Sequence, residues 1–167
     1  MESAQQLNKT DRSVGEHPAD ADPRLKVFYQ LYNTLSPDTA GTASLRQSLE
    51  KVYANNVEFS DPIHRVSGLD EMERYFDGLY ENITYIEFKF HHALVNDDNA
   101  AVHWTMLYRH PRLKGGREDI CVEGVSLLQW CKGKIIHHQD IFDAGSLLYE
   151  HVPLLGSVIR KLKERMA

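Results

Sequence analysis

The sequence predicts an α+β domain in which helices come first and an antiparallel meander follows. Two observations carry that reading. Apolar residues recur at helical spacing up to about residue 82, and from Ile86 the period changes to two, with glycine-containing turns between long strands. Helices followed by a meander place the helices over one face of the sheet.

Each element has its own signal. Asp22 and Pro23 form an N-cap and a first-turn proline, and Leu25, Phe28, Tyr29, Leu31, Tyr32 and Leu35 follow as a helical apolar face that Ser36-Pro37 ends. A small-residue link from Asp38 to Ala43 leads into a second helix, Ser44 to Tyr53, with Leu45, Leu49 and Val52 inward. A first strand spans about Val57 to Asp61, and a loop covers Ile63 to Gly68. A third helix, Leu69 to about Asn82, aligns Met72, Tyr75, Phe76 and Leu79.

In the meander, Ile86, Phe88, Phe90, His92 and Leu94 alternate with Glu87, Lys89, His91 and Ala93. Turns at Asn96 to Asn99, Lys114-Gly115-Gly116 and Lys132-Gly133-Lys134 separate strands over Ala100 to Arg112, Glu118 to Trp130 and Ile135 to Phe142. The expected organisation is a disordered leader over 1–21, one domain over 22–148 and an amphipathic helix over 149–167. That helix sets Leu154, Leu155, Val158, Ile159 and Leu162 against Arg160, Lys161, Lys163 and Arg165. A closing helix on the domain or a dimer partner is favoured for it over a membrane-surface helix.

With 167 residues, a net charge of −5 and a pI near 6.0, the chain argues against a nucleic-acid surface. No apolar stretch reaches the roughly 20 residues of a membrane span, and the polar first 20 residues are no secretory signal, so the expected address is cytoplasmic. Cys121 and Cys131, ten positions apart on one strand, are out of disulfide reach and are expected to be free thiols. Adjacent histidine pairs, His91-His92 and His137-His138, split across a sheet, so no metal is expected.

Asp61 stands where the first strand stops, directly before Pro62, which cannot continue a ladder. Aimed into a curved sheet it would be a desolvated carboxylate suited to proton transfer; the same pair also opens turns. If the alternation on the last strand holds, Ile136, His138, Asp140 and Phe142 share one face, as do Val122, Gly124, Ser126 and Leu128 on the strand before. Asp61, His138 and Asp140 could then converge beside Tyr29 and Ser126, with their titrations pushed apart. The alternative is a buried His138–Asp140 pair that anchors the strand. Trp104 could form an aromatic pocket wall, with a core or interface aromatic the favoured reading.

The run Tyr53-Ala54-Asn55-Asn56-Val57-Glu58-Phe59-Ser60-Asp61-Pro62, with Gly68 and the ending Gly133 to Asp143, resembles the SnoaL-like branch of the nuclear transport factor 2-like superfamily over about Pro23 to Leu148. That superfamily includes ketosteroid isomerases, polyketide cyclases, limonene epoxide hydrolases and non-enzymatic binding domains. The resemblance implies a cystatin-like α+β barrel: a curved, mostly antiparallel sheet forming a cone, with N-terminal helices capping an apolar pocket. It also implies a homodimer through the outer sheet face, where strand alternation places Glu87, Lys89, His91, Cys121, Val125 and Leu127.

By the same resemblance Asp61 matches the isomerase general base, Tyr29 its hydrogen-bond donor with Tyr32 as the alternative, and Ser126 replaces its protonated acid. Asp140 matches the catalytic last-strand Asp of the epoxide hydrolases, whose Tyr-x-Asn falls here at Phe59-Ser60-Asp61. The expected catalytic set is therefore Asp61, Tyr29, His138 and Asp140, with Tyr32, Phe59, Trp104, Ser126 and Phe142 as ligand contacts. The expected activity is a cofactor-free isomerase, cyclase or lyase acting on a small apolar carbonyl compound. A non-catalytic pocket for a small molecule or protein partner, and water activation by Asp140, are the alternatives.

Overall fold

A computed structural model describes residues 22–147 together with positions 161, 164 and 165. The expectations for the leader and for the tail helix beyond Leu147 lie outside the described residues.

Helix α1 (Pro23–Thr34) begins as its sequence requires, with the Asp22 carboxylate accepting the Arg24 amide at 2.8 Å. Leu25, Phe28, Leu31 and Tyr32 are its buried stripe. Arg24 also donates to the Asn96 and Asp97 carbonyls and lies 4.4 Å over the Trp130 ring, clamping the helix start to the sheet. Helix α2 (Ala43–Val52) runs directly into β1 (Tyr53–Ser60). Part of the expected 63–68 loop forms a short strand, β2 (Arg65–Ser67), because it folds back antiparallel on Glu58–Ser60. Helix α3 (Leu69–Glu81) follows Gly68, whose φ of 84° is one that side-chain-bearing residues avoid.

The long strands are β3 (Tyr85–Val95), β4 (Asn99–Arg109), β5 (Ile120–Cys131) and β6 (Lys134–Phe142), and a short helix α4 (Ala144–Leu147) ends the described domain. They form one sheet in the order β2-β1-β6-β5-β4-β3, antiparallel except where β1 runs parallel to β6. The sheet is curved and open, with β2 and β3 as edges, so the barrel is incomplete. This is the expected α+β architecture of three long helices against a curved, mostly antiparallel sheet.

Two bulges revise the expected faces. On β3, Phe90 pairs with Trp104 and Ala93 with Val102, so His91 and His92 together oppose one residue. The extra residue inverts the rest of the strand: Ala93 is buried, while His92 and Leu94, expected on the apolar side, point outward. On β6, Trp130 pairs with Ile135 and Gln129 with His137, leaving Ile136 as the extra residue. Ile135 rather than Ile136 therefore fills the inner place next to His138. On β5 the alternation holds throughout, with Val122, Gly124, Ser126 and Leu128 all buried. Cys121 and Cys131 are free and exposed.

Candidate active site

Helices α1 and α3 close over the concave face of β3–β6 and leave a cavity of about 400 Å³. Its described wall is mostly aromatic and aliphatic, with rings from Tyr32, Phe59, Tyr75, Phe76, Tyr80, Phe88, Trp104, Tyr108 and Phe142; His64, Asn82, His110 and the carboxylates Asp61 and Asp140 are its polar groups. Among the described residues no lysine or arginine lines it.

Asp140 sits on β6 opposite Ser126 of β5, on the face that strand alternation turns inward. Its Oδ1 accepts the Ser126 hydroxyl at 2.5 Å and lies 2.9 Å from His138 Nε2. The Trp104 indole N–H donates to Ser126 Oγ at 2.9 Å. Because an indole can only donate, the Ser126 oxygen accepts that bond and its own hydrogen points at Asp140. A carboxylate oxygen accepts, so the imidazole hydrogen in this contact lies on Nε2. His138 Nδ1, 2.9 Å from the Tyr53 hydroxyl, is then the acceptor, and Tyr53 in turn meets the Tyr32 hydroxyl at 3.1 Å. Both arms thus deliver hydrogens to Oδ1. No buried side-chain polar atom among the described residues lacks a partner, so Oδ2, which takes none of these bonds, opens onto the cavity.

Gly124 makes the arrangement sterically feasible. The Trp104 ring lies against it so closely that a Cβ there would come within 2.4 and 2.5 Å of two indole carbons. Trp104 pairs with Gly124 in register and reaches diagonally to Ser126, so the missing side chain permits the bond that aligns the serine.

Asp61 lies at the other carboxylate position, its side chain 4% exposed. Oδ1 accepts the Ile63 and His64 amides at 2.6 Å each, and Oδ2 accepts the Tyr75 hydroxyl at 2.6 Å. Asp61 therefore opens the turn after β1 and also faces the cavity, so both sequence readings describe it. All three donors would compete with any proton it took.

Burial holds the phenols of Tyr32, Tyr53, Tyr75 and Tyr80 well above their ordinary range. The Asp61 carboxylate adds to this at Tyr75, and the Asp140 carboxylate at Tyr80. Burial pushes Tyr108 up to about 12. These hydroxyls are donors, not bases, near neutral pH.

Of the expected residues, Asp61, Asp140, Tyr32, Phe59, Trp104 and Phe142 line the cavity. Tyr29 does not: α1 turns it onto Phe90, with which it stacks at 4.3 Å, and Tyr32 holds the α1 position in the wall. His138 and Ser126 are buried behind Asp140, so they orient the carboxylate and do not touch the cavity. Tyr53, Tyr75 and Tyr80 escaped the sequence reading as site residues. For Tyr80 a signal existed, since Leu69, Met72, Phe76 and Tyr80 recur at helical spacing and are the buried stripe of α3. Leu79, expected inward, is 40% exposed and lies beside the cavity mouth. Among the described residues no three His, Cys, Asp or Glu side chains converge as a metal ion would require.

Comparison with solved structures places this geometry in a known fold. A protein named as a SnoaL-like polyketide cyclase from Jannaschia sp. CCS1 superposes with a TM-score of 0.63 at 14% identity, over 78% of this chain and 92% of that one. A protein with a ketosteroid isomerase-like fold from Catenulispora acidiphila, solved in complex with trimethylamine, gives 0.61 at 15% identity over 76% and 90%. A limonene-epoxide-hydrolase-like epoxide hydrolase from M. tuberculosis gives 0.58 at 10% over 83% and 93%. Identities this low show the fold alone. No curated protein matches the chain. The profile of the SnoaL-like domain matches residues 32–138, well over half the sequence, and this chain belongs to that family.

Proposed function

We propose that the cavity is an acid–base site for a small, mostly apolar molecule, of the isomerase, cyclase or lyase type, with Asp140 as the proton acceptor. The observation that carries it is the Asp140 carboxylate itself, fixed through Oδ1 by Ser126 and His138 while Oδ2 is open to an apolar wall. A base needs a held geometry, a free lone pair and little competing water, and Asp140 meets these conditions better than Asp61, both of whose oxygens are occupied. No cofactor enters this scheme, since the base belongs to the chain. Water activation on an epoxide could use the same oxygen, but among the described residues no arginine lines the cavity to assist ring opening.

The test is solvent-deuterium incorporation, followed by NMR, into a panel of β,γ-unsaturated ketones and 1,3-dicarbonyl compounds. Exchange above the buffer rate that falls by about 10²–10⁴-fold in Asp140→Asn is the expected result. Saturable binding of the panel without exchange would instead favour a non-catalytic binding domain. Equal exchange in Asp140→Asn and loss in Asp61→Asn would return the role to Asp61.

We also propose self-association through the outer face of the sheet, where Leu94, Leu127 and Ile141 are 73%, 39% and 50% exposed. Sedimentation velocity that gives twice the 19.2 kDa mass, and a single-chain mass for Leu127→Glu/Ile141→Lys, would support it.

A further inference from the structure

We propose that Tyr80 is a further catalytic residue, donating its hydroxyl hydrogen to an oxygen of the ligand while Asp140 takes a proton from the same molecule. The inference rests on the acid–base reading of the cavity and names its electrophilic partner.

Among the described residues four tyrosines line the cavity, and three have hydroxyls occupied by the protein. Tyr32 meets Tyr53, Tyr75 donates to Asp61, and Tyr108 donates to the Leu147 carbonyl. The Trp104 N–H is taken by Ser126. Tyr80 has no hydrogen-bond partner among the described residues although its side chain is almost wholly buried, at 1% exposure. Buried hydroxyls in folded proteins are nearly always satisfied, and leaving one empty costs about 1–3 kcal/mol. Since no buried side-chain polar atom among the described residues is without a partner, this hydroxyl opens onto the cavity, where a ligand can complete it.

Position and chemistry agree with that use. Tyr80 closes the buried stripe of α3, and its ring stacks against Phe76 at 5.9 Å. Tyr80 and Asp140 both line the cavity, and burial together with the negative charge of Asp140 keeps the phenol protonated. Asp140 and Asp61 present acceptors, so a donor among them gives the cavity the complementary pole that proton removal next to a carbonyl demands: charge developing on oxygen needs an N–H or O–H within reach. The ligand class is therefore a molecule with an apolar body and a carbonyl-type oxygen, small enough for about 400 Å³.

The experiment reads the bond without requiring turnover. Acetophenone labelled with ¹³C at the carbonyl is added at millimolar concentration, and the bound C=O stretch is recorded by difference infrared spectroscopy. A shift to lower frequency than in hexane is expected for the wild type and for Tyr108→Phe, and its loss is expected in Tyr80→Phe. Because Tyr80→Phe removes a hydroxyl that bonds to nothing in the described protein, it should keep the wild-type melting temperature to within a degree or two. A hexane-like band in the wild type, a shift that survives in Tyr80→Phe, or no bound band would overturn the assignment. A Tyr80-dependent shift without deuterium exchange would remove the base role of Asp140 and leave that of Tyr80 standing.

Discussion

Trp104 decides which way the Ser126 hydrogen points, and it can do so because an indole nitrogen only donates. Removing the serine hydroxyl would strand that N–H in the core. Ser126→Ala should therefore cost about 1–3 kcal/mol in urea denaturation, the penalty of an unsatisfied buried donor. Trp104→Phe in the same background removes the stranded donor, so the two losses should sum to more than the double mutant shows. Additive losses would mean that the indole, the hydroxyl and the carboxylate are not one unit. At this scale the sequence was informative where period-two alternation applied: Ser126, His138 and Asp140 do meet, as their shared parity implied. It was silent about Tyr53, which reaches His138 across 85 positions, and about which hydroxyl lacks a partner. Those depend on how tightly the sheet curls, and no local pattern encodes curvature.

Bulges explain why the faces of β3 were only half legible. One inserted residue turns Leu94 from the apolar side to 73% exposure and seats Ala93 at 1%. Leu94→Lys should then change stability by no more than about 0.5 kcal/mol in the monomeric state, whereas Ala93→Lys buries a charge and should cost several kcal/mol. Comparable costs for both would place the bulge elsewhere. Gly124 poses the opposite problem on β5, because two effects compete. Alanine in place of a strand glycine recovers about 0.5–1 kcal/mol of backbone entropy. Overpacking against the indole, held by its bond to Ser126, and against the Ile141 carbonyl 3.0 Å away costs about 1–3 kcal/mol. The second is larger, so Gly124→Ala should lower the urea midpoint and alter Trp104 fluorescence. A more stable variant with an unchanged spectrum would show that the ring is free to move.

The whole molecule concentrates its buried phenols around one cavity, and this links its stability to alkaline pH. Tyr32, Tyr53, Tyr75 and Tyr80 are held well above their ordinary range, and Tyr108 is raised to about 12. A phenol whose folded value exceeds its unfolded value near 10 contributes its full share below pH 10. Above that, the unfolded chain releases the proton while the folded chain retains it, so stability falls as pH rises. Each such tyrosine contributes a slope of about 1.4 kcal/mol per pH unit, and five acting together give roughly 7. Against a typical total of about 5–15 kcal/mol, the domain should unfold within one or two units above pH 10. Urea titrations from pH 8 to 11 should be flat below about 9.5 and fall steeply beyond it. Tyr80→Phe isolates one proton from that slope, because its hydroxyl has no partner among the described residues to lose: the same stability at pH 7, and a fall shallower by about 1.4 kcal/mol per unit above pH 10. A domain as stable at pH 11 as at pH 8 would mean that water reaches these rings, and a wet wall would leave neither Asp140 nor Tyr80 the surroundings that their chemistry requires.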